Sequence, residues 1–269
     1  MPEGPEITYM VDELSKVFKK SILKDISINL KKFKSKLTNF KEFKNSLPLQ
    51  IKEIKNQGKF VYMNLSDDWS IGFTPGMTGH FWIPDVSTQF KTMEGYTYNP
   101  KHNHISFNTS KGVFYFNDPR RFGHFYIYNN KTIKNNLANK LKTLGPDLIK
   151  QLPKISQTEF NFLLSKFQPK KVLADVLLEQ KFIAGVGNIY RAEAMYRAKL
   201  SPLRTIGSLD DNDKKRLKNA LVYVGKQSYL SQKRKKELHT SNFKIYGNPE
   251  AKQLKRKGRT IWYDSKIQK

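Results

Sequence analysis

The chain has 269 residues, 38% of them hydrophobic, enough for one large or two medium domains with packed cores. No run approaches the roughly 20 apolar residues of a membrane span, and the absence of cysteine excludes disulfides and every cysteine-based zinc site. A formal charge of +26 predicts attraction to polyanions. Because the Lys and Arg residues are interleaved with aromatics rather than gathered in one tail, nucleic acid is the leading partner; the competing account is a solvated surface from a lysine-rich, AT-coded proteome.

The chain opens Met1-Pro2-Glu3-Gly4-Pro5-Glu6. Removal of Met1 before the small Pro2 is expected and would leave a secondary amine at the terminus. An α-amino group has a pKa of roughly 8, against about 10.4 for lysine, so a useful fraction is neutral and nucleophilic at neutral pH. Its attack on a carbon bearing a leaving group gives an iminium, an electron sink, and Glu3 is one peptide away to move a proton. The alternative is an ordinary, loose N-terminus. Residues 1–20 are acidic and amphipathic, so no signal peptide is expected.

Residues 5–18 are predicted as a helix: Ile7, Met10, Val11, Leu14, Val17 and Phe18 recur at i, i+3, i+4 spacing. Alternation predicts strands at Ile26–Leu30 and within Phe60–Leu65, His104–Asn108 and Val113–Asn117, with Gly, Asn, Asp and Pro clusters between them, a density of short strands that suggests a β-sandwich. Residues 131–155 form a connector rich in Asn, Lys and Pro. From residue 156 the period turns helical, with a capping box at Ser156-x-x-Glu159, a helix over Lys171–Gln180, a glycine turn at Phe182–Gly187, a helix from Asn188, and a helix of about twenty residues capped by Ser208. The tail has two strand-like runs, Asn242–Tyr246 and Arg259–Tyr263, joined by a basic loop.

Three later stretches bear on the N-terminus: Asp118-Pro119-Arg120-Arg121-Phe122-Gly123, Gly185-Val186-Gly187-Asn188-Ile189-Tyr190, and Lys257-Gly258-Arg259-Thr260. With the opening hexapeptide, and in this order, they make the sequence resemble the formamidopyrimidine-DNA glycosylase/endonuclease VIII family from residue 2 to about residue 263. The resemblance implies an α+β protein of two domains. Residues 1–130 would be a catalytic β-sandwich capped by the N-terminal helix, 131–155 a linker, 156–239 a helical domain with a helix–two-turns–helix (H2TH) element, and 240–269 a β-hairpin finger.

The resemblance also implies the roles. Pro2 attacks the sugar C1′ and displaces a damaged base; the iminium acidifies the next carbon, and the 3′ and then the 5′ phosphate leave by β,δ-elimination. Glu3 matches the acid that protonates the opening sugar ring, Glu6 a second carboxylate near the active site, and Lys59 a lysine at a strand end that contacts sugar and phosphate. A lysine after glycine is otherwise merely solvated. A base in a duplex must be flipped out and the gap filled; Met77, Arg120 and Phe122 match the three void-filling residues of the formamidopyrimidine branch, although Phe122 could instead be a hairpin aromatic packed on the sandwich. Arg121 reads as a phosphate holder. Asn188, at a helix start after a glycine turn, matches a phosphate contact or is a plain N-cap. His102 and His104 are too few for a metal site, and the match makes His102 a phosphate contact.

The tail departs from the commoner family pattern, which ends in a four-cysteine zinc finger. Gly258–Tyr263 instead resembles the second strand of the zincless finger of Nei-like-1-type members. Arg259 then matches an arginine that grips the phosphates flanking the flipped nucleotide, and Lys255 a contact to the lesion base, with Lys252, Arg256 and Lys257 as alternatives. The expectation is a monomeric intracellular enzyme, a bifunctional DNA glycosylase/AP lyase acting on oxidised pyrimidines and formamidopyrimidines in damaged double-stranded DNA, with single-stranded DNA a further substrate, and with no metal, cofactor or membrane. The alternative is a catalytically silent DNA-binding protein of the same fold, which would have no need of the Pro2–Glu3 pair.

Overall fold

The computed structural model describes residues 2–34, 37, 39–84, 98–235 and 243–269. The chain forms two compact units. The first is built mainly by Glu6–Lys142, and the second by Glu3–Pro5, Thr143–Ser231 and the tail.

The first unit opens with α1 (Gly4–Phe18) and continues through β1 (Ile22–Ile28), the short α2 (Lys31–Lys34) and α3 (Phe40–Asn45), and then β2 (Leu49–Gln57), β3 (Phe60–Leu65), β4 (Trp69–Thr74), β5 (His80–Trp82), β6 (Asn103–Thr109), β7 (Gly112–Asn117) and β8 (His124–Asn129). The strands run in the order β5-β7-β6-β1-β2-β3-β4-β8, and every pairing is antiparallel. Between β1 and β2 the ladder holds by only two residue pairs, Ile22↔Gln50 and Leu23↔Leu49. At that narrow joint the sheet folds over on itself. Phe73 on β4 therefore reaches Phe107 on β6 and Phe116 on β7, with ring centroids 5.8 Å and 5.5 Å apart. These strands are several positions apart along the ladder, so they can meet only face to face, as the two layers of a sandwich do. Phe81 and Phe125 complete this aromatic core, and the core face of α1 reaches the same domain, with Phe18 4.6 Å from Phe114.

The second unit is helical. After α4 (Leu137–Lys142), a first-unit helix inside the predicted connector, come α5 (Gln157–Ser165), α6 (Leu173–Val176), α7 (Asn188–Ala198) and α8 (Asp211–Lys235), whose end from Gln232 onward belongs to the first unit, followed by the hairpin β9 (Lys252–Arg256) and β10 (Arg259–Tyr263). The capping box of α5 forms as expected, Ser156 and Glu159 each accepting the other's backbone N–H. No helix among the described residues is long and apolar enough to cross a membrane.

Three sequence expectations in this unit are corrected. The helix predicted over Lys171–Gln180 is reduced to Leu173–Val176. Val172 is drawn into a bridge with Thr205, and beyond the helix the amides of Leu178 and Glu179 bond three residues back, in tighter turns. Ser208 does not cap α8. Its hydroxyl donates to the Thr205 carbonyl and accepts from Arg204, whereas Asp210 and Asp213 accept each other's N–H and form the cap. The strand expected at Asn242–Tyr246 is absent from the described part, 243–246. There the amides of Lys244, Ile245 and Tyr246 all converge on the Glu193 carboxylate at 2.8–3.0 Å, so none is left for a ladder. Asn242 itself lies outside the described residues. The hairpin pairs 252–256 with 259–263 instead.

Candidate active site and nucleic-acid interface

The N-terminus is fixed in place. Glu3 is fully buried, and the first-turn amides of α7 donate to its carboxylate, Ile189 N–H to Oε1 at 3.1 Å and Tyr190 N–H to Oε2 at 3.4 Å. A helix N-terminus favours such an anion through its free N–H groups and the helix dipole. The next residue locks the approach, because Gly4 N–H donates to the Gly185 carbonyl at 2.9 Å. A Cβ on Gly4 would lie 3.0 Å from the Gly185 Cα, so a side chain there would press the two backbones apart by a few tenths of an ångström. Asn188 is the first residue of α7, and Gly187 stands at the N-cap, which removes the plain N-cap reading of Asn188. Its side chain is held at both ends: Arg191 donates to Oδ1, and Nδ2 donates to the Thr260 carbonyl at 2.8 Å.

In the first unit, Pro2 is buried at the start of α1, and the Glu6 carboxylate accepts from Gln232 at 2.9 Å. Lys59 occupies the second position of a two-residue hairpin turn between β2 and β3, closed by the pair Gln57↔Phe60. Gly58, at the first position, has φ +57°, which a two-residue hairpin demands there and which glycine supplies. Buried Asn56 ties this turn to the N-terminal helix, its amide donating to the Gly58 carbonyl and to Thr8 Oγ1, both at 3.0 Å. Nothing in the local sequence marks Asn56. Its role comes from a contact across 48 residues.

Met77, Arg120, Arg121 and Phe122 come from two loops pinned together by one buried carboxylate. Asp118 Oδ1 accepts from Thr78 Oγ1 at 2.6 Å, and Oδ2 accepts from Gly123 N–H at 2.7 Å. A Cβ on Gly76 would come within 2.7 Å of the Phe122 backbone, so the loops touch through glycine. Phe122 is 47% exposed, with the Arg120 guanidinium 4.8 Å from its ring centroid. The ring therefore stands out in solvent, and the packed-hairpin reading of Phe122 is corrected. Arg121 is also exposed, in the left-handed region at φ +58°.

His102 and His104 lie beside these loops, with ring centroids 6.3 Å apart. No group of three or more His, Asp or Glu residues suited to a metal occurs among the described residues. His104 Nε2–H donates to the Asp118 carbonyl and His80 Nδ1–H to the Thr78 carbonyl, both at 3.0 Å. Burial lowers the pKa of both rings, outweighing the carbonyl bonds and the Asp118 charge, which raise it. The fold thus holds them neutral at pH values where the unfolded chain's histidines bind protons. Their contribution to stability is present above the unfolded pKa of 6.5 and is lost as pH falls below it. The melting temperature should drop between about pH 7 and pH 5, and His80→Asn/His104→Asn should flatten that slope. An unchanged slope in the double variant would rule out these histidines as its source.

The hairpin places its two site residues differently from the sequence expectation. Lys255 is not in a loop: it lies on β9 opposite Thr260, while Arg259 lies opposite Arg256. Successive pairs in a ladder face opposite sides, so Lys255 and Arg259 are on opposite faces. The basic loop expected ahead of Arg259 is therefore corrected to a strand that carries Lys255. The Arg259 face carries Ile261, fully buried, which anchors the ribbon. Arg191, 1% exposed and unremarked in the sequence, lies close enough to be felt by this end of the fold. Its pKa is lowered to about 10, first by burial and then by the Arg259 charge, with Asp175 and Glu3 acting in the opposite sense.

Comparison with known proteins places this architecture. Residues 1–125 match the formamidopyrimidine-DNA glycosylase N-terminal domain, and residues 144–237 match the formamidopyrimidine-DNA glycosylase H2TH domain. Among curated proteins, formamidopyrimidine-DNA glycosylase of Rickettsia conorii is 26% identical over 223 residues, covering 82% of this chain and 75% of the relative. That of Agrobacterium fabrum is 34% identical over 168 residues, 57% of this chain and 52% of the relative. Among solved structures, the MutM (Fpg) protein of Thermus thermophilus superposes with a TM-score of 0.78 at 23% identity, covering 99% of this chain and 98% of its own. The Lactococcus lactis enzyme bound to AP-site DNA superposes at 0.77 with 20% identity, covering 97% of each. The structural likenesses show a shared fold, and the two domain models, taking in most of the sequence in chain order, show that the chain belongs to the formamidopyrimidine-DNA glycosylase family, DNA glycosylases of base excision repair.

Proposed function

We propose that this protein is a bifunctional glycosylase/AP lyase that excises oxidised pyrimidines and formamidopyrimidines from double-stranded DNA inside the cell and then cuts the strand by β,δ-elimination. The observation that carries this reading is the anchored N-terminus: a buried proline followed by a carboxylate seated on two helix amides. A terminal amine used only as a chain end needs no such fixation, whereas a nucleophile gains several kcal/mol of barrier from being held in attack geometry. With Met1 removed, the Pro2 lone pair forms the C–N bond to C1′ as the bond to the damaged base breaks, the base leaving with a proton from water and the Glu3 carboxylate taking the Pro2 N–H proton. The C1′–O4′ bond then breaks as Glu3 passes that proton to the ring oxygen, and the nitrogen lone pair closes the iminium. The iminium draws in the electrons of the adjacent C–H bond, its proton passing to water, as the 3′ phosphate leaves, and loss of a second proton from C4′ expels the 5′ phosphate.

The remaining residues bind. Lys59, at the tip of its hairpin, takes sugar and phosphate. Arg121, His102, Asn188 and Arg259 take phosphates, for which a planar guanidinium fork is well suited. Met77, Arg120 and Phe122 fill the gap left by the flipped nucleotide. The exposed Phe122 ring beside the Arg120 guanidinium, on a loop pinned by Asp118, supports that assignment, since an apolar ring at a loop tip can wedge between base steps. The hairpin is read as a zincless finger of the Nei-like-1 type and the protein as a monomer, with single-stranded DNA a further substrate. Lys255 lies on the opposite face from Arg259 and is not assigned to the lesion.

A panel of duplexes bearing thymine glycol, 5-hydroxyuracil, a formamidopyrimidine or 8-oxoguanine, cleaved and resolved on a gel, tests the reading. Cleavage of the first three is expected, and binding without cleavage of any would favour the silent DNA-binding alternative. Arg259→Ala should weaken all lesions alike and reduce the salt slope by about one unit, because phosphate contacts carry no base information. Reordering of the lesions by that substitution would remove Arg259 from the phosphate role.

A further inference from the structure

Asp175, on α6, plays no part in the chemistry above, yet it is the best-tied carboxylate around the hairpin. Its side chain is 11% exposed and receives the Arg256 fork, Nε to Oδ1 and Nη2 to Oδ2, each at 2.9 Å, with Lys257 Nζ 3.2 Å from Oδ2. Burial alone would raise its pKa, but the hydrogen bonds from Arg256 and Lys257 outweigh it and hold the group below its ordinary value, so it is ionised.

The hairpin needs such a tie. It is a two-stranded ribbon of five-residue strands, and an isolated ribbon of this kind is marginal in water. Its turn, Lys257-Gly258, has φ of +48° and +71°, left-handed at both positions, and only the second is a glycine. Directly across the ladder, Arg256 and Arg259 share one face, and like charges so placed repel. With Arg256 drawn onto Asp175, one arginine of the pair is neutralised, and the other has no ion-pair partner among the described residues.

We propose that Asp175 is a positioning residue: by gripping Arg256 it fixes the tip of the hairpin against α6 and leaves Arg259 as the cation presented to the DNA phosphates. The inference rests on the phosphate role assigned to Arg259 above. It predicts two effects of opposite sign. An acidic side chain beside a phosphate-binding arginine repels DNA in general, so Asp175→Asn should raise affinity for undamaged duplex at low salt by about 3-fold, the effect of removing one partly screened charge. The same substitution should slow single-turnover excision from a thymine glycol duplex by about 10-fold, as the loosened tip no longer holds Arg259 in place. A purely electrostatic role would raise both quantities, and a purely structural one would lower both.

The experiment compares wild type, Asp175→Asn, Arg256→Ala and the double variant of the full chain in both assays, with circular dichroism melting as the check on folding. Arg256→Ala should slow excision to the same degree, and the double variant should be no slower than either single one, since both break one pair. Arg256 is 32% exposed, so this arm remains informative should Asp175→Asn fail to fold. Asp175→Asn moving both quantities in one direction, or neither, overturns the assignment, as does additive loss in the double variant. If wild type cleaves no lesion duplex, the underlying functional reading falls as well. If it cleaves while Arg256→Ala excises at the wild-type rate, the Asp175 proposal alone falls.

Discussion

Pro2→Gly and a variant with one residue added ahead of Pro2 are expected to lose most borohydride trapping on DNA that carries an abasic site. The two substitutions remove different things. Adding a residue turns the Pro2 nitrogen into an amide, whose lone pair is delocalised into the carbonyl and no longer nucleophilic. Trapping should then fall by about a thousandfold or more, as for loss of the nucleophile in other covalent mechanisms. Pro2→Gly keeps a terminal amine but gives up the ring that holds the nitrogen in one orientation about its N–Cα bond and the secondary amine that yields an iminium without an N–H to lose. A partial loss of about 10- to 100-fold is expected there, of the size produced by modest misplacement of a reacting group. Lys59 is the internal control, because its amine is the next candidate for a covalent adduct. If the blocked variant still traps at the wild-type rate and Lys59→Ala abolishes trapping, the nucleophile is Lys59 and the mechanism is reassigned.

The sequence made some parts of this molecule legible and hid others, and the division follows the range of the interactions. Elements set by local chemistry were readable. The apolar stripe of α1 places Ile7, Met10, Val11, Leu14 and Phe18 in the core, the Ser156–Glu159 box forms, and Gly58 marks the turn beneath Lys59. What failed was decided at a distance. Lys244–Tyr246 has the alternation of a strand, but its amides are claimed by Glu193, more than 50 residues earlier in the chain. One failure was local: the Ser208 hydroxyl is bonded to Thr205 and Arg204, three and four residues back, and the Asp210–Asp213 pair caps the helix instead. Asp118, which joins the Met77 and Phe122 loops, is visible in the motif, while the partner that makes it a staple, Thr78, lies 40 residues away. The pairing register of a hairpin could not be read from a run of basic residues with no apolar alternation. Lys255 therefore reads as part of a basic loop, whereas the ladder places it on β9, on the face opposite Arg259.

Glu3→Gln is expected to separate base excision from strand cleavage. The substitution keeps the shape of the side chain and an oxygen that can accept from the Ile189 amide, now 3.1 Å from the carboxylate. It removes the charge that the N-terminus of α7 stabilises, at a cost of about 1 kcal/mol in stability, too little to unfold a helical unit that buries Phe160, Leu164, Phe182, Tyr190 and Leu217. The chemical loss should be larger and selective. Excision from an intact nucleotide requires a proton on the departing oxygen as C1′ is attacked, and an amide cannot supply it, so single-turnover excision should fall by about 10²- to 10⁴-fold, the usual worth of a general acid. DNA that already carries an abasic site has no base left to expel, and its hemiacetal sugar opens to an aldehyde in solution without the enzyme, so its conversion to the iminium needs far less acid assistance. Cleavage of that substrate should drop by about 10-fold or less, the part that reflects the altered anchoring of the N-terminus. The two rates are measured on matched duplexes that differ only in the lesion, under enzyme excess so that product release does not enter. Equal loss on both substrates would mean that Glu3 serves only to pin the N-terminus to α7. The proton donor would then have to be sought elsewhere, with Glu6, a second buried carboxylate, next in line.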